Sequence, residues 1–149
     1  MKIKKLISFI NIFLFCILLS TANTFAVEGA KGIIKERMDK FKESKQLMKK
    51  INVGLQNDNF KVIEESAQML LLWSKEMPKF FPKGSDISPS EASSDIWLNP
   101  EGFNEAIKNF ELASLDLINQ SNTNDREKTI NAFRNLAGTC KGCHQKFRN

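Results

Sequence analysis

The chain has 149 residues, with 22 Lys or Arg, 17 Asp or Glu and a single His, for a formal net charge of +5. Three of the lysines (Lys2, Lys4 and Lys5) fall in the first 26 residues, which hold no acid, so the remainder is only two charges from neutral. A body this close to neutral gives no case for nucleic-acid binding, and its length of about 123 residues suits one domain with one core.

Residues 1–26 read as a secretory signal peptide. The three lysines form a basic start, residues 6–19 are an apolar stretch, and Thr24-Phe25-Ala26 offers a small-residue cleavage site. The apolar stretch is short for a span of roughly 20 residues, so no stable membrane insertion is expected. Cys16 lies inside it and leaves with the signal. The expected organisation is a signal peptide over 1–26 and one domain over 27–149.

The first predicted helix covers 28–55. With Phe41 at the centre of a helical wheel, Ile34, Met48 and Leu55 fall within about 40° of it, and Ile33 and Ile51 lie near one edge of the stripe. Lys35, Asp39, Lys42, Lys49 and Lys50 fall largely outside. Residues 57–59, Asn-Asp-Asn, form a turn that ends on a capping residue. A second helix follows over 60–76, with Phe60, Ile63, Ala67, Leu70 and either Leu71 or Trp73 inward. Pro78 ends it. Residues 78–98, with three prolines, a glycine and five serines, are a long irregular connection. A connection of that length usually has a function.

Asn99-Pro100 opens the third helix with a cap and then a proline at the first helical position. Phe103, Ile107, Phe110, Ala113 or Ser114, and Leu117 line one face, to about residue 118. A polar turn over 121–125 leads to the fourth helix, 125–147, with Ile130, Phe133, Leu136 or Ala137, and Cys140 inward. The short turns make the first pair and the last pair of helices antiparallel neighbours. The predicted fold is therefore all-α, an up-down-up-down four-helix bundle, which commonly holds a cofactor in its core.

Near the end of the fourth helix stands Cys140-Lys141-Gly142-Cys143-His144. Cys-x-x-Cys-His is the attachment signature of c-type haem. Each thiol at this spacing can form a thioether to one haem vinyl group, and the adjacent imidazole can ligate the iron. His144 is the only histidine, so no other histidine competes for that role. A structural zinc site wants four ligands, usually as two pairs, and no second pair exists outside the signal. A thioredoxin-like dithiol expects a neighbouring βαβ pattern, and nothing upstream reads as a strand. A disulfide between Cys140 and Cys143 would close a tiny loop and constrain little. Covalent haem c, one per chain, is the favoured cofactor. Export fits it, and the expected location is the periplasm.

The chain resembles the cytochrome c prime family, the class II c-type cytochromes. Its haem motif lies near the C-terminus, as in that family, and an aromatic and a basic residue, Phe147 and Arg148, follow the histidine. Asp95-Ile96-Trp97 sits in the long connection, where the family often has an Ile-Trp pair, and Arg37 matches a recurrent arginine of the first helix. The resemblance implies that Arg37 lies near a haem propionate, that Trp97 lies beside the haem edge and that Arg148 neighbours the proximal face. Four residues beyond His144, Arg148 would project on nearly the same helix face. The resemblance also makes the first helix the distal wall.

Phe41, four residues after Arg37, has the spacing of the family's distal apolar residue. Met38 is the competing candidate, as a sixth ligand, and Met48 a weaker one. Centring the stripe on Met38 would turn Lys45 and Asn52 inward without clear partners, which favours Phe41. With Phe41 over the iron and His144 below it, the expected function is a five-coordinate cytochrome that binds nitric oxide or carbon monoxide, with oxygen binding poorly. With Met38 bound, it is a low-spin electron carrier serving an unspecified redox partner. The family is often dimeric through its first two helices, so a second copy is a candidate partner. No paired carboxylates, nucleophile–base pair or second metal cluster is visible, and no catalysis is expected.

Overall fold

The computed structural model describes residues 31–149. The signal peptide expected over 1–26 and the start of the first predicted helix lie outside the described residues.

Four long helices form the body: α1 (Gly32–Gln56), α2 (Phe60–Glu76), α4 (Pro100–Ser121) and α5 (Arg126–Phe147). A single turn, α3 (Asp95–Leu98), and a 3-10 turn (Met77–Phe80) sit in the long connection. The arrangement is the four-helix bundle that the sequence predicts.

Local chemistry sets the helix ends. Asn59 caps α2 by accepting the Val62 N–H at 3.2 Å, Asn99 caps α4 through the Gly102 N–H at 3.0 Å, and Asp125 caps α5 through the Lys128 N–H at 3.0 Å. Pro78 stops the α-helix at Glu76, and the chain tightens into the 3-10 turn. Helix α4 runs three residues past the expected end. Its polar tail is satisfied locally: Gln120 bonds Asp116 at 3.0 Å and the Ser121 hydroxyl donates to the Ile118 carbonyl at 2.9 Å. Those residues would otherwise favour a turn.

Ile51, Ile63, Leu70, Leu117 and Leu136 are fully shielded from solvent. Each contributes roughly 1.5–3 kcal/mol of apolar burial. Helices α1 and α2 approach closely at Gly54, where a Cβ would lie 2.8 Å from Ile63 Cγ1. At the same end Arg126 ties the two short turns together, with Nε on Asp58 Oδ1 at 2.7 Å and a second nitrogen on the Leu55 carbonyl at 3.0 Å. Helix α5 is rotated slightly from expectation. Thr129 and Ala132 are buried, while Ile130, Phe133 and Cys140 are half-buried. The Thr129 hydroxyl explains this, because it donates to Asp125 and Gln120 carbonyls at 2.7 and 3.2 Å and is hidden without loss.

The helix pairs α1–α2, α2–α4 and α4–α5 pack extensively, whereas α1 and α5 barely touch. The bundle is thus sealed on three sides, and its fourth seam lies between Phe41's helix and the helix carrying Cys140, Cys143 and His144.

Candidate functional site

The long connection closes the end of the bundle opposite the short turns. Arg37, on α1, is only 3% exposed, a depth unusual for a guanidinium. Two of its donors reach the Phe80 carbonyl and the Ser85 hydroxyl, both at 2.8 Å. Two more reach the Ser85 carbonyl at 2.6 Å and the Ser90 hydroxyl at 2.8 Å. The guanidinium also stacks on Phe81 at 4.4 Å from the ring centre. Burial pulls its pKa down, with the charge of Asp86 opposing, and it remains a cation. Four of its five N–H donors are therefore committed to residues 80–90, leaving Nε–H for any other partner.

The far end of the connection is stitched to the C-terminus. Ala92 and Arg148 form an antiparallel bridge, the Ser93 N–H bonds the Phe147 carbonyl at 3.0 Å, and the Asn149 N–H bonds the Glu91 carbonyl at 2.9 Å. Helix α5 stops at Phe147, and Arg148 turns to extended backbone at φ −127°. The shared helix face expected for His144 and Arg148 is therefore absent. Arg148 instead pairs with Glu91 (Nε to Oε2, 2.6 Å), while its N–H bonds the His144 carbonyl at 3.3 Å. Trp97 is half-buried, and its indole N–H bonds the Phe81 carbonyl at 3.0 Å. It anchors the connection over the aromatic cluster.

That cluster runs across the seam. Phe81 stacks edge-on with Phe103 at 4.9 Å, and Phe103 with Phe147 at 5.3 Å. Phe41 lies 6.3 Å from Phe81, 5.5 Å from Trp73 and 6.4 Å from the His144 ring. The residues expected on opposite faces of the cofactor, Phe41 and His144, thus face each other across the seam. Met38 is 44% exposed on the outside of α1, and Met48 is half-buried against the core.

Cys140 and Cys143 are free and half-buried. Burial raises both thiol pKa values, so both stand as S–H at neutral pH. The His144 pKa is lowered, first by partial desolvation and then by the Arg148 charge, with Glu91 opposing. Its imidazole is therefore neutral at pH 7, the form that offers a lone pair to a metal. No cluster of three or more His, Cys, Asp or Glu suited to a metal ion occurs among the described residues.

These residues fit a haem: two thiols one helical turn apart, one neutral imidazole beside them, and an aromatic wall opposite. Phe41 and His144 stand 6.4 Å apart, and α1 and α5 are the neighbouring long helices least bound to each other. Among the described residues one buried side-chain polar atom is left without a partner, the indole nitrogen of Trp73, whose ring packs against Phe41 at 5.5 Å. Sequence periodicity left Trp73 and Leu71 as alternatives, and it gave no sign of Ser85, Ser90 or Glu91.

Comparison with known proteins gives concordant results. A family model described as Cytochrome C' matches residues 32–148. The cytochrome c' of Rhodospirillum rubrum is 26% identical over 133 residues, covering 87% of this chain and 90% of that one. The crystal structure of cytochrome c' from Rubrivivax gelatinosus superposes with a TM-score of 0.70 at 26% identity, covering 78% of this chain and 94% of the other. The nitric oxide complex of a leucine-to-isoleucine variant of the Alcaligenes xylosoxidans cytochrome c prime has the same fold, with a TM-score of 0.70 at 18% identity over 78% of this chain and 94% of that one. Because the family match spans the helical body from the first turn of α1 to the residue after α5, this chain belongs to the cytochrome c' family, and its cofactor is covalently bound haem c.

Proposed function

We propose that this protein is a periplasmic, non-enzymatic cytochrome that holds a five-coordinate haem and takes up nitric oxide or carbon monoxide. Residues 1–26 direct export, and residues 27–149 form the working domain. Cys140 and Cys143 hold the haem through thioethers, and His144 is the proximal ligand. The haem would supply an iron with one free coordination position. Phe41 guards that position, and its ring offers no lone pair to the metal and no N–H or O–H to a ligand.

The observation that carries this reading is the 6.4 Å approach of the Phe41 and His144 rings across the seam. The exposure of Met38, at 44%, argues against a thioether sixth ligand. The nitric oxide complex of the Alcaligenes xylosoxidans protein supports the ligand class. Arg37 and Trp97 act from the rim, the first holding the connection with Nε–H left for a propionate, the second covering the haem edge. Arg148, paired with Glu91, sets the charge beside the proximal histidine.

Phe41→Ala tests the gate. An incoming ligand must push the ring off its rotamer at about 1 kcal/mol, so the variant should bind carbon monoxide roughly fivefold more tightly. It should also lose about 2 kcal/mol of stability, since the ring is only half-buried. Met38→Leu should leave the resting spectrum unchanged; a change from low-spin to high-spin would make Met38 the ligand and the protein an electron carrier.

A further inference from the structure

The Trp73 indole nitrogen is buried and has no hydrogen-bond partner, and it is the one such side-chain atom among the described residues. A buried donor left unpaired is costly, and native structures rarely keep one without a use. The second tryptophan of the chain shows the ordinary outcome, with the Trp97 N–H on the Phe81 carbonyl at 3.0 Å. Solvent does not reach the Trp73 nitrogen, which is buried although the residue, 5% exposed, lines the groove between α1 and α2. Of the polar side chains along that groove, Ser44 donates to the Lys40 carbonyl, Glu43 pairs with Lys40 and Glu76 is exposed, and none bonds the indole. The rings packed against the indole, Phe41 at 5.5 Å and Phe80 at 5.2 Å, offer only weak π acceptors.

The position of this donor is informative. The Phe41 ring lies against both Trp73, at 5.5 Å, and His144, at 6.4 Å. A ligand entering on the Phe41 side displaces that ring and moves into space that Trp73 borders. We propose that Trp73 Nε1–H is the hydrogen-bond donor of the distal pocket, acting on the outer atom of a diatomic bound where the Phe41 ring now packs. This rests on the five-coordinate reading given above and refines it: the pocket is apolar at Phe41 but not throughout. The donor favours ligands in the order of negative charge on their outer atom. Dioxygen gains most, so the poor oxygen binding expected from a purely apolar pocket is lessened.

The test is infrared spectroscopy of the ferrous carbon monoxide complex of the full holoprotein. A donor on the bound oxygen strengthens back-donation and lowers the C–O stretching frequency. Trp73→Phe should therefore shift the band to higher frequency and weaken dioxygen binding about fivefold, the loss of one neutral hydrogen bond. Deuterium exchange of the indole should move the wild-type band and leave the variant's band unmoved. Benzothienylalanine at position 73, which replaces only the N–H with sulfur, should reproduce the Trp73→Phe shift and serves if the phenylalanine variant folds poorly. An unchanged band in either variant overturns the proposal. So does an equal change in the ligand-free ferrous spectrum, which would assign the N–H to a propionate. Failure of the five-coordinate reading is distinguishable, because the unmodified protein would then be low-spin and refuse carbon monoxide before any substitution.

Discussion

Cys140→Ala combined with Cys143→Ala should abolish covalent haem while leaving a helical chain of reduced stability. Attachment adds each S–H across one vinyl group, and these are the two cysteines of the helical body, free and protonated on one turn of α5. The loss should be complete rather than graded, because no other thiol reaches the seam among the described residues. Mass spectrometry after denaturation reads it directly, as loss of the haem mass from the polypeptide. Circular dichroism should still report helices, since Leu70, Leu117 and Leu136 form a core that does not depend on the cysteines. Covalent haem retained on the double variant would place the attachment elsewhere.

Arg37→Ala should give the largest stability loss of any single side chain outside the apolar core, about 3 kcal/mol. The guanidinium makes four hydrogen bonds of 2.6–2.8 Å to residues 80–90, and hydrogen bonds to charged groups contribute about 1.5–3 kcal/mol each. Relief of burying a cation offsets much of that sum. Ser85, itself 4% exposed, would be left with an unpaired hydroxyl and carbonyl. Against a typical total of roughly 5–15 kcal/mol, the loss is severe. Urea unfolding should show a lower midpoint with an unchanged slope. Arg37→Lys keeps the charge but cannot span four acceptors, and should recover less than half of the loss. A cost under about 0.5 kcal/mol for Arg37→Ala would mean that the connection is held by Trp97 and the C-terminal bridge instead.

Parts of this molecule governed by nearby residues were legible in the sequence. Asn59, Pro78, Asn99 with Pro100, and Asp125 mark helix boundaries because each acts on backbone groups within a turn of itself. The haem motif was legible for the same reason: its chemistry is carried by five consecutive residues. Side-chain facing was legible only to within one or two positions. Trp73 rather than Leu71, and Ser114 rather than Ala113, are the buried members of their pairs. Both choices depend on neighbouring helices. Ser114 is hidden because its hydroxyl bonds the Phe110 carbonyl at 2.8 Å, so polarity no longer opposes burial.

The contacts of the long connection were not legible. Arg37 meets partners 43 to 53 residues away, half of them backbone carbonyls that carry no residue signature. Arg148 leaves the helical path because the helix ends at Phe147, as its expected bounds have it, and the bridge to Ala92 draws the next residue into an extended path.

The central claim is that the iron is held by His144 alone among the side chains, with Phe41 over a free position. The optical spectrum of the reduced protein tests it most directly. The expected result is a Soret band together with one broad, merged visible band, the signature of five-coordinate high-spin iron. Sharp, separate α and β bands would reveal a sixth protein ligand and contradict it.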